Sequence, residues 1–166
     1  LPVPVGTVGE IVHRSPHATL GYWKNEEKTA ESFRNGWFHS GDLGVMDEDG
    51  YLSVVDRKKD MIKTGGENVA SREVEELIFT HPAVSEVAVF GVPHPKWIEA
   101  VMAVVVPRAG QSVSADELLA FCRERMAGYK APKLAEVVDA LPKNASGKIL
   151  KRDLREQFAE RGKSLG

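Results

Sequence analysis

The sequence predicts an α+β fold: a small domain with a short central sheet and packed helices, joined at about residue 57 to the end of a β-rich region. Three observations lead there. Glycine turns break the first third into short strand-like runs. A charged run, "VVDRKKD", then marks a change of style and a candidate domain boundary. Beyond it, apolar β-branched runs alternate with amphipathic segments that carry capping signals.

The elements follow in chain order. "GEIVHR" and "GWFHSGDLGVMD" read as strands, and "DEDGYLSVVD" as a hairpin turning at Asp49-Gly50. "SREVEELIFTH" reads as a helix capped by Ser71, with Val74, Leu77 and Ile78 on one face. "VSEVAVFGV" and "AVMAVVVP" read as buried neighbouring strands, because their residues are β-branched and their apolar character is nearly unbroken. "SADELLAFCRERMAG" opens with Ser114 and Glu117 at capping-box spacing, and Gly128 suits a left-handed end. "KLAEVVD" is a further strand. "KRDLREQFAERG" is a last helix, with Leu154 and Phe158 on one face and Gly162 beyond its end.

Composition narrows the function classes. The formal charge of −2 gives no general case for nucleic acid or an anionic membrane, and no apolar run approaches the ~20 residues of a membrane-spanning helix. The opening "LPVPVGTVGE" resembles neither a signal peptide nor a transit peptide. Cys122 is the one cysteine, which excludes an intrachain disulfide and fits a reducing, cytoplasmic setting. Its apolar neighbours make it a small buried side chain rather than a nucleophile.

"PKNASGKILKRDL" places Lys148 after Gly147 ahead of a helix, as a phosphate loop would. Such a loop needs a glycine five positions before the Gly-Lys pair and Ser or Thr after the lysine, whereas Pro142 and Ile149 stand there. Lys148 is therefore not a P-loop lysine; Asn144, Ser146 and Gly147 make a mobile polar loop around it. "KTGGENV" lacks the dinucleotide fingerprint G-x-G-x-x-G. Gly65 and Gly66 permit close approach of a thin ligand, or simply turn the chain from strand to helix. Asp42 either caps its turn or accepts paired hydroxyls. Arg57 either forms a surface ion pair or forks onto ribose or phosphate oxygens. Trp97, the one aromatic in "PHPKWIEA", is either a packing residue or a stacking platform for a purine.

Read in order, "GEIVHRSPHATLGYW", "GWFHSGDLG", "DEDGYLSVVDRKKDMIKTGGENV", "SREVEE" and "PKNASGKILKR" resemble the adenylate-forming (AMP-binding) enzymes, most of all the fatty acyl-CoA ligases. The resemblance runs from about Gly9 to Arg155, and several motifs in register are more specific than any one of them. It implies two half-reactions. A carboxylic acid, here expected to be a fatty acid, reacts with Mg2+-ATP to give an acyl-adenylate and pyrophosphate; coenzyme A then displaces AMP. Asp42 would bind the ribose hydroxyls, Arg57 would assist there, and Lys148 would contact carboxylate and α-phosphate oxygens during adenylation. Lys59 would be the hinge of a rotating C-terminal domain, and rotation would bring Gly65 and Gly66 to the pantetheine passage. Trp97 and Tyr129 would lie near the CoA adenine.

The sequence departs from the family in two places: Ser40 stands before Gly-Asp where threonine is usual, and Ala131 where some relatives place an arginine. The resemblance divides the chain into residues 1–56, the end of the large AMP-binding domain, and 57–166, the small mobile C-terminal domain. It implies a fragment, inactive alone, whose metal and phosphate-loop residues lie elsewhere. Two other readings stand beside it: an adenylation enzyme that loads a carrier protein, and a non-catalytic assembly module of the same fold.

Overall fold

A computed structural model describes residues 2–165. The chain divides into two compact units, Leu1–Lys59 and Asp60–Gly166.

The first unit is built on one long strand. In chain order its elements are β1 (Gly9–His13), α1 (Glu26–Ser32), β2 (Phe33–Arg34), β3 (Trp37–Met46) and β4 (Leu52–Arg57). All three partner strands pair antiparallel with β3: Phe38 faces both His13 and Phe33, and Gly44 faces both Gly9 and Val54. β3 thus carries β1 along one edge and β2 and β4 along the other. The Asp49-Gly50 turn closes the β3–β4 hairpin, with Gly50 at φ +84°. Helix α1 departs from the expected run of short strands. Asn25 caps it, its Oδ1 accepting from the Lys28 N–H at 3.0 Å, and Glu26 and Glu27 suit its first turn. Between residues 2 and 59 only Gly44 and Asp56 are buried.

The second unit has a true core. Its elements are β5 (Ile62–Thr64), β6 (Glu67–Val69), α2 (Ser71–Phe79), β7 (Val84–His94), β8 (Ile98–Pro107), α3 (Ala115–Arg125), β9 (Leu134–Val137) and α4 (Lys151–Lys163). β8 is central. It pairs antiparallel with β7 from Val84↔Pro107 to His94↔Ile98, and takes β5 (antiparallel) and β9 (parallel) as further partners. Side chains alternate across this sheet. Val89, Val101, Ala103 and Val105 pack with Val74 and Ile78 of α2 and Leu118 and Cys122 of α3. Ala88, Phe90, Val92, Met102 and Val104 pack with Leu154 and Phe158 of α4. Both faces are covered, which is why β7 and β8 show unbroken apolar runs rather than alternation. Each fully buried Val or Leu adds roughly 1.5–3 kcal/mol of burial energy.

Three expected termini are corrected. Ala70, not Ser71, is the N-cap of α2; Ser71 is its first residue, is fully buried, and its hydroxyl accepts from Lys151 Nζ at 2.8 Å. The capping box of α3 forms as expected, but the helix ends at Arg125 with Met126 extended, and Gly128 is not left-handed. Gly162 lies inside α4, buried against β7, where a Cβ would stand 2.3 Å from the Pro93 carbonyl oxygen. Close helix–strand approach, not chain termination, requires glycine there.

Candidate active site

The first unit brings Asp42 and Arg57 together. They face each other across the β3–β4 ladder, and Arg57 Nε donates to Asp42 Oδ1 at 2.9 Å. Ser40 fixes the approach: its hydroxyl donates to the Ile11 carbonyl at 2.8 Å and accepts from the Asp42 N–H at 3.0 Å. Gly41 takes φ +76°, its carbonyl accepts from the Lys58 N–H at 2.8 Å, and the register shifts just beyond, at Leu43/Gly44. Against β1 the same segment bulges, with Ser40, Gly41 and Asp42 of β3 opposite the single residue Ile11.

Beside it is a cavity of about 450 Å³ lined by Ser40, Gly41, Arg34, Arg57, Lys58 and Lys59, among others. Sequence reasoning missed the polar cluster on its wall. Glu10 Oε2 accepts from Lys58 Nζ at 2.9 Å and lies 3.1 Å from His39 Nδ1. Burial pushes the Glu10 carboxyl up, but the hydrogen bonds from Lys58 and His39 outweigh it and hold the group below its ordinary range. Glu10 and His39 are 29 residues apart, so only the β1–β3 pairing reveals them as partners.

The second unit presents Lys148 at the tip of a turn. Lys143 and Ile149 form an isolated bridge, and the Leu150 N–H donates to the Pro142 carbonyl at 2.8 Å. Inside, Asn144 Oδ1 accepts from the N–H groups of Ser146 (3.0 Å) and Lys148 (2.9 Å) and from the Ser146 hydroxyl (2.8 Å). Gly147 takes φ +80°. The polar loop around Lys148 is closed as an Asx-type turn with its own hydrogen bonds. Lys148 is exposed, and its ammonium has no hydrogen-bond or ion-pair partner among the described residues.

Gly65, Gly66 and Trp97 form a second group in this unit. The glycines are the two loop residues of the β5–β6 hairpin, not a link from strand to helix, and their φ values of +59° and +88° are those of a type I′ turn. The Gly65 N–H donates to the Trp97 carbonyl at 3.0 Å. Trp97 is half-buried against the α4-side core and stacks on His94, with ring centroids 4.2 Å apart and planes 10° apart. Tyr129 stands on a turn of its own after α3, 44% exposed, with Lys130 Nζ 5.9 Å from its ring. Lys130 also bonds Glu73 at 2.6 Å, which raises its pKa. Ala131 is fully buried, so the position where some relatives would place an arginine offers no surface group here.

Burial pushes the Cys122 thiol up to about 11, in keeping with an inert core residue. Among the described residues no group of three or more His, Cys, Asp or Glu side chains is placed to hold a metal ion, and no helix is long and apolar enough to cross a membrane.

Residues 73–148 match the AMP-binding enzyme C-terminal domain family. The chain is 54% identical over 157 residues to a feruloyl-CoA synthase from Amycolatopsis sp, covering 95% of this chain and 32% of that protein. It is 48% identical to a long-chain-fatty-acid–CoA ligase from Escherichia coli O6:H1, covering 93% of this chain and 28% of that protein. Among solved structures, ATP-bound MatB from Rhodopseudomonas palustris superposes with a TM-score of 0.88 at 41% identity, over 97% of this chain and 32% of that one. The chain spans about a third of the length of these relatives. It carries an AMP-binding enzyme C-terminal domain, and its homologues are acyl-CoA ligases.

Proposed function

We propose that these residues are the C-terminal part of an acyl-CoA ligase, which activates a carboxylic acid with ATP and transfers the acyl group to coenzyme A. In the first step a carboxylate oxygen attacks the α-phosphorus, the bond to the β-phosphate bridging oxygen breaks, and pyrophosphate leaves. In the second, the CoA thiol loses its proton to solvent, its sulfur attacks the acyl carbonyl carbon, and AMP leaves with the electrons of the broken C–O bond. The observation that carries this reading is the Lys148 turn, an unpartnered ammonium presented on an Asn144-organised tip. Two anions must meet in adenylation, and a compact ammonium on a preset turn stabilises the charge that gathers between them. Asp42 would take a ribose hydroxyl on Oδ2 while Arg57 holds Oδ1.

Lys59 is the proposed hinge, and its neighbours favour that position. Lys58 is tied within the first unit through its N–H to Gly41 and its ammonium to Glu10. Asp60 is buried and tied within the second unit by Arg155 Nη2 at 2.8 Å. With anchors on both sides, a rotation concentrates in the Lys59 backbone dihedrals.

The relatives' acids bear on the substrate. A feruloyl-CoA synthase and a long-chain-fatty-acid–CoA ligase share this region with the chain at 54% and 48% identity, so these residues carry the common chemistry rather than the choice of acid. A fatty acid, the acid expected from the motif order, is the first of them to try. The test is thioester formation by the full-length ligase with ATP, CoA and, in turn, a long-chain fatty acid, ferulate and succinylbenzoate. Thioester from the fatty acid supports the whole reading. Thioester from ferulate or succinylbenzoate alone keeps the ligase and replaces the acid, and none from any of them removes both.

A further inference from the structure

His94 has no part in the reading above, yet the β7–β8 turn is built around it. It is 8% exposed at the end of β7, and its ring lies flat on the indole of Trp97, with centroids 4.2 Å apart. Its Nδ1 accepts the backbone N–H groups of both Lys96 and Trp97 at 3.1 Å. Both bonds use the Nδ1 lone pair. The next residue, Ile98, takes φ +73°, a left-handed conformation that a β-branched side chain adopts only where its surroundings impose it. Ile98 in turn pairs with Thr64, and the Trp97 carbonyl accepts from the Gly65 N–H at 3.0 Å.

One imidazole therefore sets the plane of the indole and closes the backbone that carries it. Through the Trp97 carbonyl, the same backbone is tied to the Gly65–Gly66 turn. We propose that His94 is a positioning residue for coenzyme A: it holds Trp97 and the Gly65–Gly66 turn as one preset surface for the adenine and the pantetheine arm. This rests on the CoA reading of Trp97. A stacking platform that is already ordered loses less side-chain entropy when a purine lands on it, which lowers the KM for CoA.

Three variants of the full-length ligase test this, each assayed for the CoA concentration dependence of thioester formation and for ATP–pyrophosphate exchange. Trp97→Ala removes the platform and should raise the KM for CoA roughly ten-fold, as loss of a base–aromatic stack does. His94→Ala removes both stack and acceptor and should raise it about five-fold, with the loss falling on the CoA-dependent step rather than on the exchange. His94→Asn puts back a side-chain acceptor for the N–H groups two and three residues on, and should recover the KM to within about two-fold of the parent. A raised KM in Trp97→Ala with a parental KM in His94→Ala would overturn the role of His94 alone. An unaltered KM in Trp97→Ala would remove the CoA reading beneath it. Equal losses in both half-reactions without rescue by His94→Asn would mark His94 as merely structural and overturn the proposal.

Discussion

The two units differ in what holds them together. Between residues 2 and 59 only Gly44 and Asp56 are buried, and large side chains such as Leu20, Trp23, Tyr51 and Val54 are exposed. From Ile62 onward the chain buries a two-sided core, with β7 and β8 sandwiched between α2 and α3 on one face and α4 on the other. The first unit is a backbone ladder with polar ties such as Glu10–Lys58 and Asp42–Arg57. The second unit draws on the dominant favourable term in folding, and the first scarcely does. The proposed chemistry would follow the same division, with Asp42, held by Arg57, in the first unit and the exposed Lys148 in the second.

The largest expected effect follows from separating the units. Residues 60–166 alone should unfold cooperatively in urea, whereas residues 1–59 alone should show no unfolding transition and no protected amides in hydrogen exchange. A cooperative transition in residues 1–59 would erase the contrast. A smaller effect is expected at the seam between α4 and β7. Alanine favours a helix interior over glycine by about 1 kcal/mol, but the Pro93 carbonyl leaves no room for a Cβ at position 162. Gly162→Ala should therefore destabilise the second unit by roughly 1–3 kcal/mol, the cost of overpacking, read from the urea midpoint. A stabilised variant would show that the helix can move off the strand. The smallest effect sharpens the account of the first unit. Because the folded Glu10 carboxyl titrates below its ordinary range, its stabilising contribution is fully present above that range and is lost as pH falls through the lowered value. Amides near Ser40 in the full-length protein should lose protection on the acid side, and Glu10→Gln should flatten that dependence; an unchanged acid limb would remove the Glu10 tie from the account.

The same contrast explains how much was legible beforehand. In the second unit, burial on both faces wrote itself as unbroken apolar runs, and Ser114 with Glu117 announced the start of α3 by a local rule. In the first unit, α1 buries no residue, so it has no apolar stripe, and only Asn25 followed by Glu26 and Glu27 marked it. The misplaced termini share a cause. Ser71 and Gly162 each satisfy a local capping rule, but a partner distant in sequence, Lys151 or Pro93, decides their place. Lys148 stands out as a candidate through its neighbours in sequence alone. Glu10 with His39, and His94 beneath Trp97, depend on strand pairing and ring stacking that no spacing announces. The Gly65–Gly66 pair was legible as a turn, and the two short strands beside it turn it into a hairpin.

The most direct test of the central claim is Lys148→Ala in the full-length protein, with the two proposed half-reactions measured separately. Adenylate formation, followed as pyrophosphate release in a single turnover, should fall by about 10²–10³, the cost of losing one preset charge-stabilising donor. Thioester formation from pre-formed acyl-adenylate and CoA should stay within about two-fold of the parent, because no interaction made only in that transition state has been removed. Equal loss in both steps, or none in adenylation, would contradict the assignment of Lys148.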